Sequence, residues 1–76
     1  MKIPSEFPPG CEFVAGFSGD EFVRFPDGAW FRASDDGASL LPLPGMDPAG
    51  PRSGAPMSES AFVACAARSR ELTARR

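Results

Sequence analysis

Gly19, Gly28 and Gly37 stand nine residues apart, each inside a turn cluster: SGD at 18–20, PDG at 26–28 and DDG at 35–37. Turns at that spacing leave room only for strand-length segments between them, too short for helices. The intervening residues are rich in Phe, Val and Trp, which suit a pleated surface. Consecutive strands joined by tight turns pair antiparallel. The expectation is a small antiparallel β-meander of three to four strands, at 11–17, 21–25, 29–33 and a short 39–43. Residue identities do not recur between the turns, so the period is strand length plus turn length rather than a sequence repeat.

The middle turn carries the most local information. Pro26 presets φ for the first turn position, Asp27 suits the second, and Gly28 accepts the left-handed conformation at the third. This is the pattern of a three-residue hairpin with a type I turn and a G1 bulge. Phe25 then faces Ala29, Arg24 faces Trp30, Val23 faces Phe31 and Phe22 faces Arg32. One side of the hairpin carries Val23, Phe25, Ala29, Phe31 and Ala33; the other carries Phe22, Arg24, Trp30 and Arg32. A two-residue Asp-Gly turn would instead pair Phe25 with Trp30 and mix the two sets.

Residues 42–57 hold five of the nine prolines and three of the eight glycines, which reads as a loop between the meander and the C-terminal segment. Its PAGPR segment, 48–52, has the arginine out of place for a polyproline ligand. From Ser58 the pattern changes to three-and-four spacing: Phe62, Cys65, Ala66, Ser69 and Leu72 share one face, with Val63 and Ala67 beside it. Ser58 or Ser60 can cap, Glu59 suits the first turn, and Glu71 with Arg75 forms an i,i+4 pair. The predicted helix runs over 59–74. Its apolar stripe is expected to dock on the sheet side bearing Val23, Phe25 and Phe31, because two packed layers give so short a chain one core. The fold class is therefore α+β, a single small domain over 1–76 with one C-terminal helix packed on one face of the sheet.

The totals exclude more than they identify. The chain has no His, so Ser-His and Cys-His catalytic pairs are ruled out within it, and a non-enzymatic role is expected. Cys11 and Cys65 form no Cys-x-x-Cys pair, which supports neither zinc nor redox chemistry, and no metal or cofactor is expected. Reduced thiols are the default; a bridge between the two has no support from the sequence. Asp35 and Asp36 read as turn residues, since adjacent carboxylates on a turn diverge into solvent. The N-terminus lacks the apolar core of a secretory signal and no segment approaches a membrane span, so a cytoplasmic location is expected. One Lys beside seven Arg, with much Ala, Gly and Pro, suits a GC-rich bacterium or its phage.

Net charge is −2, but residues 1–67 hold nine acids against four bases while 68–76 hold four Arg against Glu71. Arg68, Arg70, Arg75 and Arg76 either complement the negative end of the helix dipole or form a contact strip for phosphate or an acidic partner. The face with Phe22, Arg24, Trp30 and Arg32 has three readings. It can be a solvated face whose arginines stack on their aromatic neighbours; it can be covered by the N-terminal segment with Ile3 and Phe7, or by the proline-rich loop; or it can be an open patch of binding hot-spot residue types. The last reading gives a protein-binding module, a small adaptor or inhibitor that occludes a larger machine. Single-stranded nucleic-acid binding by the same rings plus the C-terminal arginines is the alternative, disfavoured by the acidic body. A structural homo-oligomer, paired through the open face or an edge strand, is a third.

Overall fold

The computed structural model describes residues 1–16, 19–51 and 54–75. Phe17 and Ser18 of the first predicted strand and turn, Arg52 of PAGPR, and Arg76 lie outside the described residues. The chain forms β1 (Glu12–Ala15), β2 (Glu21–Arg24), β3 (Trp30–Ala33), β4 (Leu40–Pro42), β5 (Ala55–Met57) and α1 (Glu59–Ala74). The strands make one antiparallel sheet in the order β4-β3-β2-β1-β5, an α+β fold.

The PDG turn is a bulged three-residue hairpin. Gly28 N–H donates to Phe25 O at 2.8 Å, Phe25 N–H donates to Ala29 O at 2.9 Å, and Gly28 has φ +93°. The β2–β3 register is set by this turn: Phe22 opposite Arg32, Val23 opposite Phe31, Arg24 opposite Trp30. Because side chains alternate across a strand, this register puts Val23 and Phe31 on the helix side and Phe22, Arg24, Trp30 and Arg32 on the other.

The sheet has one strand more than the three to four expected. β5 arises inside the proline-rich segment and pairs with β1, with Pro56 at its centre opposite Val14. Proline is tolerated there because β5 is an edge strand. In β1, Gly16 N–H donates toward β2, to Asp20 O, so alternation turns Phe13 and Ala15 toward β5 and leaves Pro56 facing outward. On the other edge Leu43 N–H donates to Trp30 O and Leu40 N–H to Met1 O, which turns Leu40 and Pro42 outward. Each edge therefore meets solvent with a residue that has no N–H to offer, while Met1 and Lys2 cover the Leu40 end. Such edges resist strand-to-strand self-pairing.

Helix α1 has the predicted bounds. Ser58 caps it, its Oγ accepting from Ala61 N–H at 3.1 Å, and Glu59 occupies the first turn. Phe62 is fully buried among Phe7, Phe13, Val23, Ala33 and Leu40, with Phe25, Phe31 and Val63 packed against that cluster. The rings meet edge-on or tilted: Phe7–Phe13 at 5.0 Å, Phe13–Phe62 at 5.1 Å and Phe7–Phe62 at 5.6 Å between centroids. Phe7 thus belongs to the helix side of the sheet.

The predicted stripe holds only for its first half. Phe62 and Ala66 are buried, but Leu72 is 54% exposed and residues 70–75 all lie in solvent. A 16-residue helix is about 24 Å long, whereas a four-residue strand spans about 13 Å, so the C-terminal turns overhang the sheet. No basic residue lies in the last turn; Arg75 is the C-cap and pairs with Glu71 at 3.3 Å.

Beyond Phe62, the helix is seated by the DDG turn. Gly37, buried at φ +69°, lies directly against the helix backbone at Ala66 and Arg70. Asp36 shapes the turn: its Oδ1 accepts from the Ser34 hydroxyl and from Ala38 N–H. These bonds, that from Ser34 first, hold the Asp36 carboxyl below the usual carboxylate range. A pKa lowered by folding stabilises the protein above the unfolded value, ~3.9, and that stabilisation is lost as pH falls through the folded value. Thermal melts across acidic pH should therefore show wild type losing stability more steeply below ~pH 4 than Asp36→Asn does; parallel acid limbs would mean that the turn bonds do not depend on the charge.

Candidate functional site

The side of the sheet opposite α1 is built from register alone. Across its middle, Pro56, Val14, Phe22, Arg32 and Leu41 stand directly opposite one another on β5, β1, β2, β3 and β4. Val14, Phe22, Arg32 and Leu41 are half-buried. In the adjoining row Glu12, Arg24 and Trp30 are neighbours. The predicted set Phe22, Arg24, Trp30 and Arg32 is brought together on one face.

Trp30 is not an open ring on that face. It is 6% exposed, and its cover is the 43–50 stretch of the proline-rich segment. Met46 N–H donates to Leu43 O at 3.1 Å, Ala49 N–H to the Asp47 carboxylate at 2.8 Å and Gly50 N–H to Asp47 O at 2.8 Å. These two turns fold the chain back so that Gly50, at φ +90°, sits on the indole, where a Cβ would lie 2.7 Å from Cζ2. The indole N–H donates to Pro48 O at 3.4 Å, which satisfies the polar tip of an otherwise apolar side chain. The stacking role drawn from sequence for Trp30 is corrected to a packing role.

The arginines engage carboxylates rather than rings among the described residues. Arg24 Nη1 lies 3.4 Å from Glu12 Oε2, with side chains 40% and 64% exposed, and Arg32 Nη1 lies 3.6 Å from Asp35 Oδ1. Exposed pairs of this kind contribute at most about 1 kcal/mol. Arg24 lies low enough on the sheet that its Nε is buried, and that donor has no hydrogen-bond acceptor among the described residues. Phe22 lies over the backbone of Gly16, whose Cβ, were there one, would come within 2.6 Å of the ring.

Val14, Leu41 and Pro56 extend the face, and the sequence offered no route to them. Their position depends on the β1–β2, β3–β4 and β1–β5 registers, and none of those connections has the unambiguous turn chemistry of PDG. Arg68 and Arg70 are exposed on α1, and Arg75 lies just past it. The helix lies on the other side of the sheet, so these arginines do not continue the Arg24–Arg32 surface.

A groove of about 620 Å³ runs along the β1–β5 junction beside the start of α1, lined by Cys11, Glu12, Phe13, Val14, Pro56, Met57 and Glu59. Burial, then the negative charges of Glu59 and Asp27, push the Cys11 thiol up from its ordinary value, so the thiol is a weak nucleophile. Cys11 and Cys65 are both free. Among the described residues no group of three or more Cys, Asp or Glu is placed to hold a metal ion, and no helix is long and apolar enough to cross a membrane. No family model, curated protein or solved structure matches this chain.

Proposed function

We propose that this chain is a non-enzymatic protein-binding domain, acting as a small adaptor or inhibitor through the sheet face opposite α1. The observation that carries this reading is the row Val14–Phe22–Arg32–Leu41, half-exposed apolar side chains around an arginine, on a face the helix leaves uncovered. Phe22 and Arg32 are residue types that anchor interfaces. Trp30 acts from below, holding the 43–50 loop and the β3 backbone in place. A cytoplasmic setting in a bacterium or phage host accords with two free cysteines and the arginine-rich, lysine-poor composition.

The test uses Phe22→Ala combined with Arg32→Glu. A partner captured by the wild type and then purified should bind this double variant about 30-fold or more weakly, a loss of ~2 kcal/mol, while the variant still melts cooperatively and stays folded at the assay temperature. Undiminished binding by a folded double variant would remove the face from recognition. Single-stranded oligonucleotide is titrated in parallel at low salt; binding there that weakens steeply with added salt would replace the protein partner with nucleic acid.

A further inference from the structure

We infer that the overhanging end of α1 docks into the β1–β5 groove of a second copy of this chain. The two surfaces are complementary in both polarity and charge. On the overhang, Arg68, Leu72 and Arg75 succeed one another at spacings of four and three, which puts them on a single helix face. All three are exposed, and Leu72 at 54% is one of only two large hydrophobic side chains exposed among the described residues, the other being Met1. That face presents an apolar knob between two cations. The groove presents the converse, with apolar Phe13, Val14, Pro56 and Met57 lining it together with the carboxylates of Glu12 and Glu59. Glu12 is 64% exposed despite its contact with Arg24, which leaves oxygen lone pairs for a second cation.

The occupant has to come from another molecule. Glu59, on the groove, opens the helix, and Leu72 lies thirteen residues further along it, about 20 Å away on a rigid rod. A helix cannot fold back into the groove at its own start. The same division appears along the sequence: residues 1–67 carry nine acids against four bases, and 68–76 carry four arginines against one acid. A second copy supplies both the apolar side chain and the charge that the groove lacks. A two-fold pair makes the contact twice, with the helices antiparallel and each basic end over the other's acidic end, so the assembly closes at the dimer. The contact needs no added strand, since β5 turns Pro56 outward, and it borders the sheet face opposite α1 at Val14 without using Phe22 or Arg32.

Sedimentation equilibrium on the full chain over a wide concentration range tests this. Wild type should show a monomer–dimer equilibrium that weakens with added salt. Leu72→Glu should weaken dimerisation about tenfold or more, with an unchanged circular-dichroism melt because the position is exposed. Arg68→Glu with Arg75→Glu on one chain, and Glu59→Arg on another, should each be largely monomeric alone. Mixed, they should associate again, since the reversed helix end meets the reversed groove. A wild type that stays monomeric at every concentration overturns the inference and leaves the groove to a basic segment of a different protein. Self-association indifferent to Leu72→Glu, or a mixture no better than its components, overturns it in favour of another surface.

Discussion

Gly37→Ala is expected to lower stability by about 2–5 kcal/mol, a large fraction of the roughly 4–11 kcal/mol total of a domain this size. Two independent costs add at this position. At φ +69° an L side chain costs about 1–2 kcal/mol of backbone strain. The new Cβ would also overlap the Ala66 carbonyl oxygen and stand 3.0 Å from Arg70 N, and these are helix backbone atoms that cannot turn aside as a flexible side chain would. Relieving the overlap means lifting α1 from the sheet where Phe62 fills the core, an overpacking cost of about 1–3 kcal/mol. Gly28→Ala is the matched control. It has the same left-handed backbone, φ +93°, but nothing within 4 Å of the added atom, so only the strain of about 1–2 kcal/mol remains. Urea denaturation of both variants separates the two contributions. Equal losses would mean that the DDG turn does not seat the helix.

That contrast also shows where the sequence is and is not legible. DDG reads as a turn from its residue types, and it is one. Nothing in those residues says that the turn will be pressed against a helix thirty residues further on. PDG is different because its chemistry decides its own geometry: one bulged glycine fixes the register of β2 on β3 and, through alternation, the side of the sheet on which nine side chains fall. Helix α1 is equally plain, since Ser58, Glu59 and the three-and-four spacing are all local signals.

Expectation and structure part at features set at long range. The apolar stripe on α1 runs to Leu72 in the sequence, but periodicity carries no information about how much sheet lies beneath it, and the helix outruns its support. β5 is three residues centred on a proline, a pattern that counts against a strand until a neighbouring β1 with a free edge is present to pair with it. Phe7 has two sides of the sheet within its reach in sequence. It fills the gap beside Phe62 because contact with both Phe13 and Phe62 removes more apolar surface than the Trp30 side, already closed by the 43–50 loop, has left to offer.

Trp30→Ala carries the other large expected effect, a loss of about 3–5 kcal/mol. The ring is 6% exposed, so its removal leaves a cavity between β3 and the loop. The far end of the loop loses its seat as well, since the turns at Asp47 are local and Pro48 O would lose the indole donor. Phe22→Ala, on the same face but half-exposed, should cost markedly less, about 1 kcal/mol. Trp30 is the only tryptophan, so fluorescence reads the clamp directly in the wild type. Emission should be characteristic of a buried indole and should shift red on unfolding. Gly50→Ala should shift it red at zero denaturant, because the added Cβ at 2.7 Å forces the loop off the ring while leaving the helix side of the sheet untouched. A Trp30→Ala variant nearly as stable as wild type would mean that the loop does not close over the ring. Trp30 would then stand open beside Arg24, and the face would have to be read as a stacking surface after all.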